Sequence, residues 1–290
     1  MSTQITTSFV EQYSSNVTML SQQMGSKLRG AVDVETVRGK NAFFDQIGAT
    51  AASVRSSRHG NTPQVNTPHA RRRVSLADYE WADLIDDQDK VRMLIDPTSS
   101  YAKAAAAAMN RSIDDVIIAA FDAAADTGVA GGTATALPSS SKFATSDQSD
   151  GMTIAKLRQA KFFFDNGSVD PSLKRFVVAG PKQIQDLLAT TEVTSADFNT
   201  VRALAAGDVT SFLGFDFIMS TRLSLDGTNT TDRKCFAFTE DAIKLAIGKD
   251  VSAKISERAD KSYATQVYYC MSIGATRMEE EKVFLLPCNE

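Results

Sequence analysis

The sequence predicts a mixed α+β chain, and three observations predict it. A stretch opened by Asp96-Pro97 carries helical signals for about thirty residues. The segment 153–248 alternates helical and strand-like patterns, and residues 251–273 alternate apolar and polar positions at a period of two. The 290 residues can bury one or two cores, since single cores stop growing at ~250–300 residues. Hydrophobic residues make up 43% and charged residues 23%, with no apolar run near the ~20 residues of a membrane span, so no such span is expected.

Phe9, Tyr13, Val17, Leu20 and Met24 recur at steps of three and four, the pattern of one apolar helix face, and Gly25 ends the run. Nothing local offers that face a core, so residues 1–49 are expected to form an arm; Phe43 and Phe44 stand in it without a clear period. Residues 50–73 are polar, broken by Gly60, Pro63 and Pro68, a length of loop that is usually functional or disordered. Val74 to Tyr79 is β-compatible. Asp96 as cap and Pro97 at the first turn then begin a helix through Ala104–Ala108. Ser112 and Asp115 read as a capping box that would start a second helix, with Ile113, Val116, Ile117, Ala120, Phe121 and Ala124 as its stripe and Gly128 as its close. Together they make a spine of roughly 45 Å if continuous, at 1.5 Å per residue.

Gly128 to Ser149, rich in Gly, Ser, Thr and Ala, is expected to be an exposed, mobile connection marking a subdomain boundary. Beyond it the pattern predicts a helix from Thr153 to Asp165, a strand Arg175–Ala179, a helix from Pro181 to Leu188 and a short helix near Asp197–Leu204. Strands Phe212–Met219 and Cys235–Phe238 and a helix Glu240–Ile247 follow. Two antiparallel strands through Val251–Ile255 and Tyr263–Ile273 precede a final strand, Val283–Leu286, ended by Pro287.

Charge is segregated in the middle of this plan. Between Arg55 and Arg73 lie five arginines, both histidines and no acid, and from Asp78 to Asp89 lie six acids and no base. Within one subunit such an arrangement gains little, because exposed ion pairs contribute about 0–1 kcal/mol each. Between identical subunits the same complementarity sets register and repeats at every contact. Two solvated faces of a loop and its neighbour are the plainer reading. The candidate intersubunit residues are Arg55, Arg58, Arg71, Arg72, Arg73, Asp78, Glu80, Asp83, Asp86 and Asp87, with Trp81, the sole tryptophan, as an anchor beside the charge switch.

Catalytic and metal chemistry find little support. His59 and His69 each lie within two residues of an arginine, where positive charge disfavours a cation. There is no Gly-x-Ser-x-Gly elbow, and Gly248-Lys249 lacks the first glycine and the Ser/Thr of a phosphate loop, so a helix C-cap is the expected role there. Asp114-Asp115 and Glu279-Glu280-Glu281 are expected on solvated faces. Cys235, Cys270 and Cys288 show no CxxC spacing and are expected as buried free thiols. The opening Met-Ser-Thr-Gln-Ile lacks a secretory pattern, so the protein is expected to act where it is made. A net charge of −4 argues against gripping nucleic acid, though not against enclosing it. Neither an enzyme nor a cofactor is expected.

The order of these parts, with Tyr13-Ser-Ser-Asn-Val17, Gly25-Ser-Lys-Leu28, Ala42-Phe-Phe-Asp-Gln-Ile-Gly48, the stretch Trp81–Pro97 and Ile113-Asp-Asp-Val-Ile-Ile118, resembles major capsid proteins of tailed bacteriophages over essentially the whole chain. The resemblance implies the fold first described for phage Hong Kong 97. An N-arm would occupy 1–49, an E-loop 50–80, a peripheral domain with the spine helix 81–149, an axial α/β domain 150–248, and further peripheral strands 249–290. It implies a subunit whose E-loop overlies a neighbour, so that Arg71, Arg72 and Arg73 meet acids such as Asp83, Asp86 or Asp87 of another copy. The partners implied are the chain itself in hexamers and pentamers, a separate scaffolding protein, a portal and, as a further candidate, a decoration protein. The shell would enclose double-stranded DNA without reading it, be assembled in the host cytoplasm and reside in the virion. Because some relatives lose an N-terminal scaffolding segment and this sequence opens on the arm, no maturation cleavage is expected; non-covalent stabilisation is assumed. An encapsulin nanocompartment has the same fold but usually lacks a long N-arm, so it is the alternative.

Overall fold

The computed structural model describes residues 21–55, 57–62, 64–86, 98–143, 151–189, 211–226 and 232–290. In chain order its first part holds strands β1 (Asp33–Thr36), β2 (Asn41–Ile47), β3 (His69–Ser75) and β4 (Ala77–Ile85), then helix α1 (Thr98–Asp122) and strands β5 (Ala125–Thr127) and β6 (Thr133–Thr135). Next come α2 (Ile154–Asn166), β7 (Arg175–Ala179), α3 (Pro181–Leu188), β8 (Ser211–Phe212), β9 (Phe215–Met219) and β10 (Asp232–Thr239). Two long strands, β11 (Ile243–Arg258) and β12 (Ala264–Arg277), precede β13 (Val283–Asn289). The result is a mixed α+β protein with three helices among the described residues and three sheets, ordered β1-β11-β12-β4, β13-β10-β7-β9-β8 and β2-β3-β5-β6.

The chain divides into two compact units. One comprises Met1–Gly25, Asp78–Ser112 and Lys249–Ser272. Its sheet carries the outer length of β11, then β12, then β4 at the edge. The β11–β12 hairpin turns through Ala259–Lys261, with Ser262 and Tyr263 at φ of 52° and 61°. Arg258 closes that turn by donating from Nε and Nη2 to the two carboxylate oxygens of Asp260, each at 2.8 Å. Ala105, Ala107 and Met109 of α1 are buried. Asn110 and Arg111 on the same helix hold the chain at Gln22–Met24 by side-chain hydrogen bonds.

The other unit comprises Ser26–Ala77, Ile113–Gly248 and Ile273–Glu290. Its core is aromatic. Phe121 of α1 stacks on Phe236 of β10, with centroids 4.9 Å apart, and leans on Phe238 at 4.7 Å. Phe163 of α2 meets Phe284 of β13 at 4.9 Å, and Phe164 meets Phe215 of β9. Apolar burial at about 25 cal/mol per Å² makes such ring clusters the main favourable contribution to the unit. Its fully buried polar groups include Asp114 and Arg277. Asp114 accepts from Ser26 Oγ and from the backbone N–H of Lys27 and Leu28, so the chain's entry to this unit is tied to α1. Arg277 donates to the carbonyls of Phe121, Ala123 and Thr135, supplying donors to the orphan carbonyls at the end of α1.

Several expectations change. The arm helix at residues 9–24 and the short helix near 197–204 fall outside or largely outside the described residues; Ser21–Gly25 is non-helical. Asp96 and Pro97 also lie outside them. Residues 41–47, which lack an obvious period, form a strand because β3 pairs along their whole length. No second helix starts at Ser112: its hydroxyl donates to the Ala108 carbonyl at 3.2 Å, a bond made within a continuing helix. The 25-residue α1 therefore spans roughly 37 Å at 1.5 Å per residue. It ends at Asp122, where Arg277 takes the carbonyls, and Gly128, at φ 94°, serves the β5–β6 turn instead.

The described part of the connection, residues 128–143, is more ordered than its composition suggests, with β6 and buried Leu137, Ser141 and Phe143. Phe212–Met219 is two strands broken at Leu213 and Gly214, both with positive φ. Glu240–Ile247 is not a helix. Ile243, Leu245 and Ile247 follow a period of two while Ala242, Ile243, Ala246 and Ile247 also fit a helical one, and β1 lies parallel to Lys244–Ile247, so β11 runs on through Gly248-Lys249 instead of ending in a C-cap. Pro287 does not end β13; it sits opposite Lys234 on a sheet edge, where its missing N–H costs no ladder bond.

Candidate functional site

The basic stretch and the acidic stretch fold into consecutive strands with different surroundings. β3 is interior to its sheet, between β2 and β5. Its alternation turns Arg72 and Val74 inward and Arg71 and Arg73 to the opposite face. Arg71 donates from Nε to Asp45 Oδ1 at 2.6 Å, directly across the β2–β3 ladder, and its guanidinium lies 5.4 Å over the Phe43 ring. That hydrogen bond holds the Asp45 carboxyl below its usual range. Arg73 pairs with Asp126 of β5 at 2.5 Å. Gly131 makes room for it: at φ 64°, a Cβ there would lie 2.6 Å from the Arg73 side chain.

Arg72 is only 6% exposed. Its Nε donates to the Met278 carbonyl at 3.0 Å, and its Nη2 donates to both oxygens of Glu280 at 2.7 and 2.8 Å. Glu280 also lies 3.7 Å from the buried Arg277 guanidinium, whose pKa is lowered by burial. One carboxylate thus stands between two buried cations. Glu280 and Asp114 were both expected on solvated faces. Glu280 instead neutralises this pair, and Asp114 is fully buried.

The acids follow another course. In β4, Asp78 and Glu80 are exposed and alternate with half-buried Tyr79, Trp81 and Asp83; exposed Asp86 follows the strand. Glu80 accepts from Tyr268 Oη at 3.2 Å, and Asp83 accepts from the Leu84 N–H. Among the described residues, none of Asp78, Glu80, Asp83 and Asp86 forms a salt bridge within the chain. Asp87 lies outside the described residues. Arg55 and Arg58 are exposed, and the Arg55 guanidinium donates to the carbonyls of Ser57 and Arg58. The residues that neutralise β3, namely Asp45, Asp126 and Glu280, are not apparent from the sequence, where they stand 26 to 208 positions away. Only Asp45, inside the phrase Ala42–Gly48, carries a hint.

Among the described residues no cluster of three or more His, Cys, Asp or Glu is placed to hold a metal, and no helix is long and apolar enough to cross a membrane. Cys235 and Cys288 are buried free thiols. Cys270 is half-exposed rather than buried, and Lys249 Nζ donates to its sulfur at 3.0 Å, which lowers the thiol pKa.

Comparison with known proteins follows the same architecture. The family described as phage capsid protein matches residues 5–290. Among solved structures, the capsid of cyanophage P-SCSP1u aligns at a TM-score of 0.77 and 16% identity over 99% of this chain and 94% of that one. Mycobacterium phage Che8 aligns at 0.71 and 17%, covering 96% of each chain. The cyanophage Pam1 capsid asymmetric unit aligns at 0.71 and 14%, covering 98% and 97%. At these identities the likeness is one of fold. No curated protein matches the chain.

Proposed function

The chain belongs to the phage capsid protein family, and from that premise we propose how it builds a shell. It is a structural major capsid protein of a phage head, a virion component that works by self-assembly. The finer reading is an icosahedral, DNA-enclosing shell of the Hong Kong 97 type, formed from hexamers and pentamers through an axial domain at about 150–248. Residues 50–80 act as the E-loop over a neighbour, with a scaffolding protein and portal as assembly partners in the host cytoplasm. Its work is association rather than turnover. An acidic subunit suits this role, because its net charge of −4 lets packaged DNA slide and leave. The observation that carries the reading is the family match across residues 5–290 of a chain whose strands and helices superpose on capsids.

The contacts proposed between copies join cations of the basic stretch to acids of the acidic stretch. Arg55 and Arg58 supply the first set, with Arg71, Arg72 and Arg73 already partnered inside their own subunit. Asp78, Glu80, Asp83, Asp86 and Asp87 supply the second, with Trp81 as the apolar anchor. Expression of the chain alone and with a candidate scaffold, followed by sedimentation and negative-stain electron microscopy, tests the assembly. Shells or capsomers are expected; a monodisperse monomer in both samples overturns the reading.

A further inference from the structure

Three sheets present six edges, and most of them are unfit for pairing. β1, β6 and β8 have four, three and two residues. β13 has seven but contains Pro287, and the chain at Lys142-Phe143 already bridges it: the Phe143 N–H donates to the Leu285 carbonyl at 2.9 Å. Short length, proline and cover are the usual protections of an edge. Among the described residues, β2, with seven residues, and β4, with nine, have none of the three. Within one chain they lie at the edges of different sheets and do not pair with each other.

Their side chains are complementary. β2 exposes Phe43 (42%) and Ile47 (71%), and β4 exposes Leu84 (44%). The one acid of β2, Asp45, is neutralised by Arg71, and behind it on the same face β3 presents Arg71 and Arg73. β4 carries Asp78, Glu80 and Asp83 with no base. Pairing β4 with another β4 would set like charges side by side, which destabilises a ladder, whereas the β2 edge, whose charges are already paired within the subunit, sets no such repulsion against it. We infer that β4 of one copy adds as a strand to the β2 edge of a second copy, joining two sheets across the subunit boundary. This rests on the capsid reading. Main-chain hydrogen bonds supply the attraction, Leu84 meets the Phe43–Ile47 face, and like-charge repulsion between β4 strands disfavours the symmetric alternative. Because β2 and β4 are different patches, the contact runs head to tail and repeats from copy to copy.

The test uses chains in which Cys270→Ser removes the half-exposed thiol. One chain then carries Phe43→Cys, and the other carries Glu80→Cys, Ala82→Cys or Leu84→Cys. The two are mixed, assembled with scaffold where required, and oxidised. Only a contact between copies can link two different variants. Assembly raises thiol concentration from micromolar towards millimolar, so about a hundredfold more covalent heterodimer is expected in shells than in dissociated subunits for at least one β4 position. Shells without heterodimer at any of the three positions overturn the inference and leave the capsid reading standing. Failure of the unsubstituted chain to form shells or capsomers overturns that reading and this inference with it.

Discussion

β3 and β4 are consecutive strands of opposite charge, and the fold treats them differently. The three arginines of β3 each have a carboxylate inside the subunit, whereas the acids of β4 form no salt bridge among the described residues. The difference is positional. An interior strand has neighbours on both sides, and Asp45 and Asp126 come to its cations across the ladder. An edge strand has one neighbour, so half its surroundings are supplied by solvent or by another molecule. A run of like charge thus indicates assembly only where the strand bearing it lies at an edge.

Breaking the interior side of this contrast has the largest expected effect. Arg72→Glu would set a second carboxylate against Glu280 in a buried site. A loss of about 3–5 kcal/mol in denaturant unfolding is expected, the range for disrupting a buried ion pair. An unchanged midpoint would show that Arg72 is not structural. Asp114→Ala leaves the Lys27 and Leu28 N–H groups and the Ser26 hydroxyl without their acceptor, and a loss of about 2–3 kcal/mol is expected in the same assay.

The edge side should respond in the opposite way. Asp78→Lys with Glu80→Lys is expected to change monomer stability by no more than about 0.5 kcal/mol, as exposed sites usually do, yet to reduce shell yield in electron micrographs. Normal shells from that variant would remove β4 from the assembly surface. The smallest effect concerns the β11–β12 turn. Its Arg258 partner holds the Asp260 pKa at about 2, below the ordinary 3.8. A depressed carboxylate contributes fully above the unfolded value and loses that contribution as pH falls through the folded one. The turn should therefore keep its ion pair at pH 3, and an NMR titration should show Asp260 protonating near pH 2; a midpoint near 3.8 would mean the pair does not form.

Much of the fold was legible because it is written locally. Arg175–Ala179 and Pro181–Leu188 form as predicted, since a short apolar β-branched run and a proline at the first helical turn need no distant partner to be read. The 251–273 alternation likewise became β11 and β12. Ser112 misled because a capping signal is also tolerated inside a helix when the hydroxyl bonds back to the turn before. Glu240–Ile247 misled because its apolar spacing fits both periods. For the site, the segregation of charge was visible, but the fate of each charge was not.

The sequence by itself determined the α+β class, the long helix and late strand pair, the absence of a recognisable catalytic motif and the resemblance to capsid proteins, all of which rest on spacing along the chain. Only the tertiary structure decided which charges are internal and which face outward. Glu280 reaches Arg72 across 208 positions, Asp114 holds Ser26 across 88, and β4 rather than β3 lies at an edge. The physical reason is that burial and pairing are properties of three-dimensional neighbours: a charge has no partner until the chain has folded, and periodicity carries no record of who that partner will be.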